Sequence, residues 1–203
     1  MRRTLLLVCA TMTVLLMASG VAWAVTKVGP DGADTLRGTN QADNLLGLGG
    51  NDEIPGKRGS DNLLGGPGKD YIAGGNEFLS SGGDKNLVGS RGNDVVLAGQ
   101  GSDNSVGEAG NDLMIDGTLD EPSRDNVSAG AGKDVILVDN KPATKDILSC
   151  GPSLDRALAD RKDVVAADCE KVVVVHGSLK DVIRQEDRFF RSIPQSFFQG
   201  LPG

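Results

Sequence analysis

The residues with the most chemical potential in this chain are aspartates that recur at a nine-residue spacing. They fall into runs separated by longer gaps. The full set is Asp34, Asp43, Asp52, Asp61, Asp70, Asp94, Asp103, Asp112, Asp125 and Asp134. Carboxylate and backbone carbonyl oxygens are the ligands that hard cations such as Ca²⁺ prefer, at about 6 to 8 per ion. A regular series of aspartates therefore predicts several metal sites.

Each aspartate belongs to a short repeated unit. A glycine stands two residues before it in eight of the ten units, and an apolar residue stands two residues after it in nine of the ten, with Ser105 as the exception. Glycine tolerates positive φ and lets backbones approach closely, so the segment before each aspartate can form a tight turn lined with carbonyl oxygens. Each unit is thus predicted to be a turn followed by a very short strand, and a fixed period of this kind indicates units stacked along an axis.

These units resemble the hemolysin-type, or RTX, calcium-binding nonapeptide repeat, G-G-x-G-x-D-x-U-x. The stretch from Gly65 to Ala73, GGPGKDYIA, is a clear example, and the resemblance extends over residues 29–139. It implies an all-β fold, a right-handed parallel β-roll (β-solenoid) in which two units form one coil. It also implies Ca²⁺ between successive turns on the same side. Pairs that would flank such ions are Asp34 with Asp52, Asp43 with Asp61, Asp52 with Asp70, and Asp94 with Asp112.

Two irregularities interrupt the nine-residue grid. Between Asp70 and Asp94 the in-register position is Lys85, and we interpret residues 76–82 as an irregular loop. An ammonium at a ligand position predicts that the site pairing Lys85 with Asp103 is empty or replaced by a Lys–Asp contact. The thirteen-residue step from Asp112 to Asp125 indicates a bulge over residues 118–122. Complete sites are therefore predicted mainly in the first run.

Composition and charge support a cation-dependent solenoid. Aromatic residues make up only 3% of the 203 residues, and 24 of the 29 glycines lie between Gly29 and Gly132. A narrow stacked column of aliphatic side chains suits this composition better than a globular core, although a Gly- and Asp-rich chain can also remain disordered. The formal net charge is −7, and it becomes −9 without Arg2 and Arg3. Repulsion between stacked carboxylates predicts that Ca²⁺ binding and folding are coupled.

Residues 1–24 have the pattern of a signal peptide. Two arginines precede an apolar segment from Leu5 to Met17, and Ala22-Trp23-Ala24 forms a small-x-small cleavage site. A membrane anchor is the alternative. Cleavage predicts a secreted, extracellular protein whose residues 25–139 form the β-roll.

Two cysteines, Cys150 and Cys169, remain after cleavage and are predicted to form a disulfide. Their separation of nineteen residues is close to one coil of eighteen, which would bring them together in stacked coils. Metal binding by the pair is the alternative, but two thiols without neighbouring histidines make a poor zinc site. The surrounding sequence resembles a closing region that follows such repeats in exported, actinobacterial-like proteins. Residues 140–175 are accordingly predicted to be closing strands.

The carboxyl terminus, residues 176–203, is predicted to complete a disulfide-braced cap with a short terminal helix. Ser178 and Asp181 resemble a capping box, and a helix is predicted from Leu179 to Arg191. Its apolar face would cover the last coil, because an open solenoid end exposes strand edges and core. A tail that docks a partner or a membrane, through Phe197 and Phe198, is the alternative.

Nothing in the sequence indicates catalysis. The single histidine, His176, lacks an H-E-x-x-H context, and there is no G-x-S-x-G motif. The acidic composition argues against nucleic acid, and a membrane partner is not expected after cleavage. The expected partners are calcium ions, and the expected role is structural or an interaction, with a cell-surface or matrix adhesin or a glycan-binding module as the alternative. An ice-binding solenoid is disfavoured, because positions equivalent to Thr35 read Asn44, Glu53, Asn62 and Tyr71.

Overall fold

The computed structural model describes residues 23–75, 86–116, 123–138, 143–174, 191, 193 and 195–199, and within them it consists almost entirely of short strands. The strands are β1 (Thr26–Val28), β2 (Asn44–Leu46), β3 (Glu53–Lys57), β4 (Asn62–Pro67), β5 (Tyr71–Gly75), β6 (Asn86–Arg91), β7 (Val95–Gly99), β8 (Asn104–Ala109), β9 (Leu113–Asp116), β10 (Asn126–Ala131), β11 (Val135–Val138), β12 (Ile147–Ser149), β13 (Arg156–Ala159), β14 (Val164–Val165) and β15 (Lys171–Val174). The one helix with described bounds is α1 (Gln195–Phe198).

The strands form two parallel sheets that the chain visits alternately. Sheet A has the order β1-β2-β4-β6-β8-β10-β12-β14, and sheet B has the order β15-β13-β11-β9-β7-β5-β3. Neighbouring strands in the regular part are offset by eighteen residues, as in the pairing of Asn44 with Asn62. Two nine-residue units therefore make one coil, and the prediction of an all-β parallel solenoid is confirmed.

The apolar residue two positions after each aspartate points into the space between the sheets. Leu45, Ile54 and Ile72 are each 0% exposed. Ser105, the exception in the sequence pattern, is also buried. Its side chain therefore points inward as in the other repeats, although it is polar. The inward-facing column reads Leu36, Leu45, Ile54, Leu63, Ile72, Leu87, Val96, Ser105, Met114, Val127, Ile136, Leu148 and Ala157. Dispersion and burial along this column replace the core of a globular domain.

The sheets continue without a change of architecture beyond residue 139. Strands β12 to β15 pair in parallel with the strands before them, and all four lie within residues 140–175, which the sequence predicts to be closing strands. The predicted disulfide is present between Cys150 and Cys169, whose Cα atoms are 5.1 Å apart. The disulfide therefore links two coils covalently near the carboxyl-terminal end of the solenoid.

A carboxyl-terminal residue packs against the outer face of sheet B. Ile193 is 3% exposed and clusters with Val135, Leu137 and Leu158. Val135 and Leu137 flank the inward-facing Ile136, so this contact lies on the side of the solenoid. The predicted helix from Leu179 lies, except for Arg191, outside the described residues.

Other predicted features also lie outside the described residues. They are residues 1–22 of the signal peptide, the loops at 76–82 and 118–122, and Lys85. Within the part of the chain that the structure describes, no helix has the length and apolarity needed to cross a membrane.

The outer face of sheet A carries a row of asparagines. The side-chain amide of Asn62 donates to Asn44 at 2.8 Å, that of Asn86 to Asn62 at 3.2 Å, and that of Asn104 to Asn86 at 3.0 Å. Glu53 and Tyr71 lie on sheet B. The series read from the sequence therefore combined residues of two sheets. On sheet B the series from Thr35 through Glu53 to Tyr71 is irregular, as read, whereas sheet A carries the regular asparagine row.

Candidate metal centre

The aspartates of the repeat separate into two columns, one on each side of the solenoid. Column 1 contains the residues that directly precede strands of sheet B, or its first bridge, and comprises Asp34, Asp52, Asp70, Asp94, Asp112, Asp134 and Asp155. Column 2 contains those that precede strands of sheet A, and comprises Asp43, Asp61, Asp103, Asp125, Asp146 and Asp163. Asp34 and Asp163 are partly exposed and the other members are buried. All ten sequence-predicted residues thus lie in two stacked rows, together with three that were not predicted.

One hydrogen bond recurs along column 1. The backbone N–H of each aspartate donates to Oδ1 of the aspartate one coil later, at 2.9 Å from Asp34 to Asp52 and at 2.8 Å from Asp52 to Asp70. The same bond continues at 2.8 Å through Asp94, Asp112, Asp134 and Asp155. Each carboxylate is therefore held in one orientation by the backbone of the preceding turn.

The second carboxylate oxygen in column 1 has no hydrogen-bond donor. Oδ2 is buried and without a hydrogen-bond partner in Asp34, Asp52, Asp70, Asp94, Asp112, Asp134 and Asp155. An isolated buried carboxylate is strongly unfavourable unless it is protonated or paired with a cation. A row of oriented, unsatisfied oxygen atoms is a donor set that fits Ca²⁺.

Glycine provides the space beside these oxygens. A Cβ atom on Gly29 would lie 2.5 Å from Oδ2 of Asp34 and 2.7 Å from the carbonyl oxygen of Gly47. A Cβ atom on Gly47 would likewise collide with Oδ2 of Asp52 and the carbonyl oxygen of Gly65. Carboxylate and carbonyl oxygens therefore converge next to the glycines five residues before Asp34 and Asp52, and a side chain at either glycine would displace them.

At two positions of column 2, hydroxyl residues partly satisfy the carboxylate. Oδ2 of Asp43 accepts hydrogen bonds from the Thr39 backbone at 2.5 Å and from the Thr39 hydroxyl at 3.1 Å. The hydroxyl of Ser123 donates to Oδ2 of Asp125 at 3.4 Å. Thr39 and Ser123 stand where the repeat motif has glycine. These two positions therefore differ from those of column 1, where the same geometry continues beyond the first run. The predicted concentration of complete sites in the first run remains a prediction.

An acidic cluster that the sequence did not predict joins column 2. The carboxylates of Asp103, Asp116 and Asp125 are buried, and one oxygen from each lies within 4.8 Å of the others. Asp116 ends β9 beside Val138 in the parallel register, at a position that the nine-residue grid assigns to a small residue. These three oxygens could coordinate a single metal ion.

Sequence reasoning also missed the later members of the columns. Asp146 and Asp155 are nine residues apart, and each is followed two residues later by buried Leu148 or Ala157. The nine-residue spacing and the apolar residue two positions later could have identified both aspartates as members of the repeat. This pattern was obscured because Ser153 stands where the glycine two residues before Asp155 would be.

Burial and like charge act together on these carboxyl groups. Burial, aided by the charges of Asp134 and Asp94 and opposed by a backbone hydrogen bond, raises the pKa of Asp112 to about 8. Burial likewise raises the pKa of Asp94 and of Asp134 to about 7, and that of Asp70 to about 6. The metal-free solenoid therefore disfavours the ionised form that a cation would require.

The comparisons with known proteins agree with this arrangement. Residues 29–61, 48–77 and 80–114 match the model of the RTX calcium-binding nonapeptide repeat. No curated protein and no solved structure matches the chain. RTX repeats bind Ca²⁺, and the buried aspartates are consistent with several calcium sites. Residues 29–77 and 80–114 of the chain are therefore RTX-type calcium-binding nonapeptide repeats, and they lie in a parallel solenoid.

Proposed function

We propose that the chain is a secreted, non-catalytic β-roll whose folding is coupled to extracellular Ca²⁺. The observation that carries the proposal is the row of buried Oδ2 atoms in column 1, which have no hydrogen-bond donor. Their alignment needs the folded solenoid, because the aspartates of one column are eighteen or more residues apart in sequence. An unfolded chain presents no such row, so the free energy of binding adds to the free energy of folding.

Electrostatics gives the coupling its sign. Strands in a sheet are about 4.8 Å apart, so successive carboxylates of a column repel one another strongly when they are ionised. Two like charges about 4 Å apart repel by roughly 1 kcal/mol in water and by several kcal/mol at a lower effective dielectric constant. A divalent cation between successive turns replaces this repulsion by attraction. The proposal therefore predicts a loosely folded chain without Ca²⁺ and an ordered one with it.

The ten sequence-predicted aspartates are assigned unequal roles. Asp34, Asp52, Asp70, Asp94, Asp112 and Asp134 are proposed as the principal ligands, because each keeps a buried Oδ2 without a donor. Asp43 and Asp125 are proposed as weaker ligands, since Thr39 and Ser123 already donate to them. Asp61 and Asp103 complete column 2, and Asp103 is proposed to act with Asp116.

A calcium titration tests the proposal directly. The chain beginning at Val25, with its disulfide intact, is titrated with CaCl₂ while far-ultraviolet circular dichroism and heat are recorded, and bound metal is counted at saturation. We expect several ions per chain, a gain of β signal, and its loss in EDTA. MgCl₂ is the matched control, because Mg²⁺ demands a smaller and stricter octahedral shell. Equal order and equal stability in EDTA and in saturating CaCl₂ would contradict the proposal.

Extracellular location is proposed from two features. The disulfide between Cys150 and Cys169 is of a kind that persists in oxidising compartments, and residues 1–24 have the pattern of a signal peptide. Extracellular modules bind Ca²⁺ at about 10⁻⁴ to 10⁻³ M. Expression of the full chain in a secreting host, followed by mass measurement of the exported product, should show cleavage before Val25. An uncleaved, membrane-bound product would support the anchor instead.

An interaction module is a second candidate, favoured by the asparagine row on sheet A. Asn44, Asn62 and Asn86 form a ladder of side-chain amides on the outer face, and a regular polar face of this kind could bind a glycan or another repetitive surface. Retention of the calcium-loaded chain on cell-wall or glycan material, lost on replacing Asn62 and Asn86 by aspartate, would support it. A thermal-hysteresis measurement separates ice binding from glycan binding.

A further inference from the structure

The column 1 arrangement extends past the residues that match the repeat family. The matches end at residue 114, yet the backbone N–H of Asp134 donates to Oδ1 of Asp155 at 2.8 Å. This is the distance found between Asp94 and Asp112 within the matched region. The turn that ends at Asp155 is therefore in register with the repeat turns, although its sequence, Cys150 to Asp155, retains only one glycine.

Both carboxylates at this position have an oxygen available for a cation. Asp155 is 0% exposed and Asp134 is 1% exposed, and Oδ2 of each is buried without a hydrogen-bond partner. Two such groups stacked one coil apart are unfavourable unless a positive charge lies between them or a proton is taken up. This is the same orphaned oxygen that marks column 1 within the matched repeats.

The turn retains the backbone conformation of the repeat. Gly151 has φ 89° and Ser153 has φ 135°, and the preceding turn has φ 103° at Gly130 and 155° at Gly132. The two turns are joined by a hydrogen bond from the Gly130 N–H to the carbonyl oxygen of Cys150 at 3.1 Å. A serine at positive φ is unfavourable by itself, so neighbouring contacts must maintain the turn.

The disulfide and two acidic residues supply those contacts. Cys150 begins the turn and is bonded to Cys169, which directly precedes Glu170. Oε2 of Glu170 accepts the N–H of Asp155 at 2.9 Å, as an aspartate one coil later would. Asp168 accepts the N–H of Gly151 at 3.0 Å and the hydroxyl of Ser149 at 3.0 Å. The final coil is thus fastened to the Asp155 turn by one covalent bond and several hydrogen bonds.

We propose that the turns ending at Asp134 and Asp155 hold a further hard divalent cation, and that the disulfide between Cys150 and Cys169 fixes the geometry of this site. The inference rests on the proposed calcium-binding function and places a site where the repeat sequence has disappeared. Asp134 and Asp155 supply the carboxylates, and the disulfide acts as a positioning element. Reduction of the disulfide should therefore weaken this site more than those in the matched repeats.

The test counts Ca²⁺ ions bound by the mature, disulfide-intact chain and by Asp155→Asn. Asparagine keeps an Oδ1 acceptor for the Asp134 N–H but removes the charge. We expect one ion fewer, with the other binding steps unchanged. Glu53→Gln is the control for the loss of one negative charge, because Glu53 is an exposed acidic residue of β3; its ion count should equal that of the parent chain. An unchanged count in Asp155→Asn overturns the inference while the proposed function stands. A parent chain that binds no Ca²⁺ overturns both.

Two measurements remain decisive if Asp155→Asn fails to fold. In the unmodified chain, the amide NMR resonances of Gly151 and Asp155 should shift during a calcium titration. If these resonances do not move at saturating Ca²⁺, the proposed site is contradicted. In the Cys150→Ser/Cys169→Ser chain, Ca²⁺ should bind the Asp155 turn about tenfold more weakly, as expected when the support of a metal ligand is lost. Equal affinity with and without the disulfide would remove the positioning role.

Discussion

The backbone N–H of Asp94 donates to Oδ1 of Asp112 at 2.8 Å, and Oδ2 of the same Asp112 carboxylate is buried without a hydrogen-bond partner. One oxygen therefore ties two coils together while the other is left for a ligand. The geometry gives each aspartate of column 1 a structural role and a binding role. The two roles can be separated by replacing only the charge.

Asp112→Asn should have opposite effects with and without calcium. Asparagine retains the acceptor for Asp94 but removes a buried charge between Asp94 and Asp134, so the metal-free form should gain about 1 kcal/mol of stability. In saturating CaCl₂ the variant should bind at least one ion fewer and be less stable than the parent. Urea unfolding in EDTA and in CaCl₂ measures both. Glu53→Gln, at an exposed position of sheet B, controls for the change in net charge. A loss of stability of Asp112→Asn in EDTA would contradict the assignment of Asp112 as a buried calcium ligand.

Gly47→Ala should disrupt one site by filling its space. An added Cβ would collide with Oδ2 of Asp52 and the carbonyl oxygen of Gly65, and overpacking of this kind costs about 2 kcal/mol. Gly49→Ala is the matched control in the same turn, because the nearest atoms to its Cβ are Oδ1 of Asp31 at 3.6 Å and the carbonyl oxygen of Pro67 at 4.0 Å. Calcium titration and urea unfolding of both variants provide the comparison. Equal behaviour would show that the space beside Gly47 is not part of a site.

The sequence predicts the solenoid because period and inward-facing residues obey simple geometry. A nine-residue unit with one phased apolar residue can stack only in one way, and Leu45, Ile54 and Ile72 are buried accordingly. The sequence shows less readily which sheet each residue belongs to, because alternate nine-residue units must be compared separately. Asn44 and Asn62 form one row only when Glu53, on the other sheet, is left out.

The chemistry of individual sites was less accessible to the sequence. Asp43 and Asp52 occupy the same place in the repeat, but Thr39 donates to the first and no donor reaches Oδ2 of the second. Asp155 was missed because the glycine expected two residues earlier is Ser153. Asp116 lies off the grid and reaches Asp103 and Asp125 only through folding. Such contacts depend on donors one coil away, which a linear period does not contain.

Lys57→Gly should stabilise the solenoid. Lys57 has φ 85°, and a non-glycine residue in this region carries about 1 to 2 kcal/mol of steric cost, while glycine costs about 0.5 to 1 kcal/mol through the entropy of the unfolded chain. The expected net gain is about 0.5 to 1 kcal/mol. Arg58→Gly removes the same charge from the next residue, which does not have positive φ, and should destabilise. Urea unfolding decides, and a loss of stability in Lys57→Gly would show that the lysine side chain outweighs the strain.

The stability of the metal-free chain should fall as pH rises from about 5 to 8. The pKa of Asp112 is raised from 3.8 to about 8, and those of Asp94 and Asp134 to about 7. The folded form therefore holds more protons than the unfolded form in this window. Stabilisation from these groups is complete below the unfolded pKa and is lost as pH rises through the folded pKa.

Calcium should reverse this dependence, because Ca²⁺ binds the ionised carboxylates and competes with protons. Affinity for Ca²⁺ should then fall as pH is lowered from 8 to 5, while stability in EDTA increases. Thermal unfolding in EDTA and calcium titration, each at pH 5, 6.5 and 8, check both trends. Asp112→Asn should weaken the pH dependence of stability measured in EDTA. Metal-free stability that increases with pH would show that the buried carboxylates of column 1 are ionised without a cation, and the electrostatic basis of the coupling would fail.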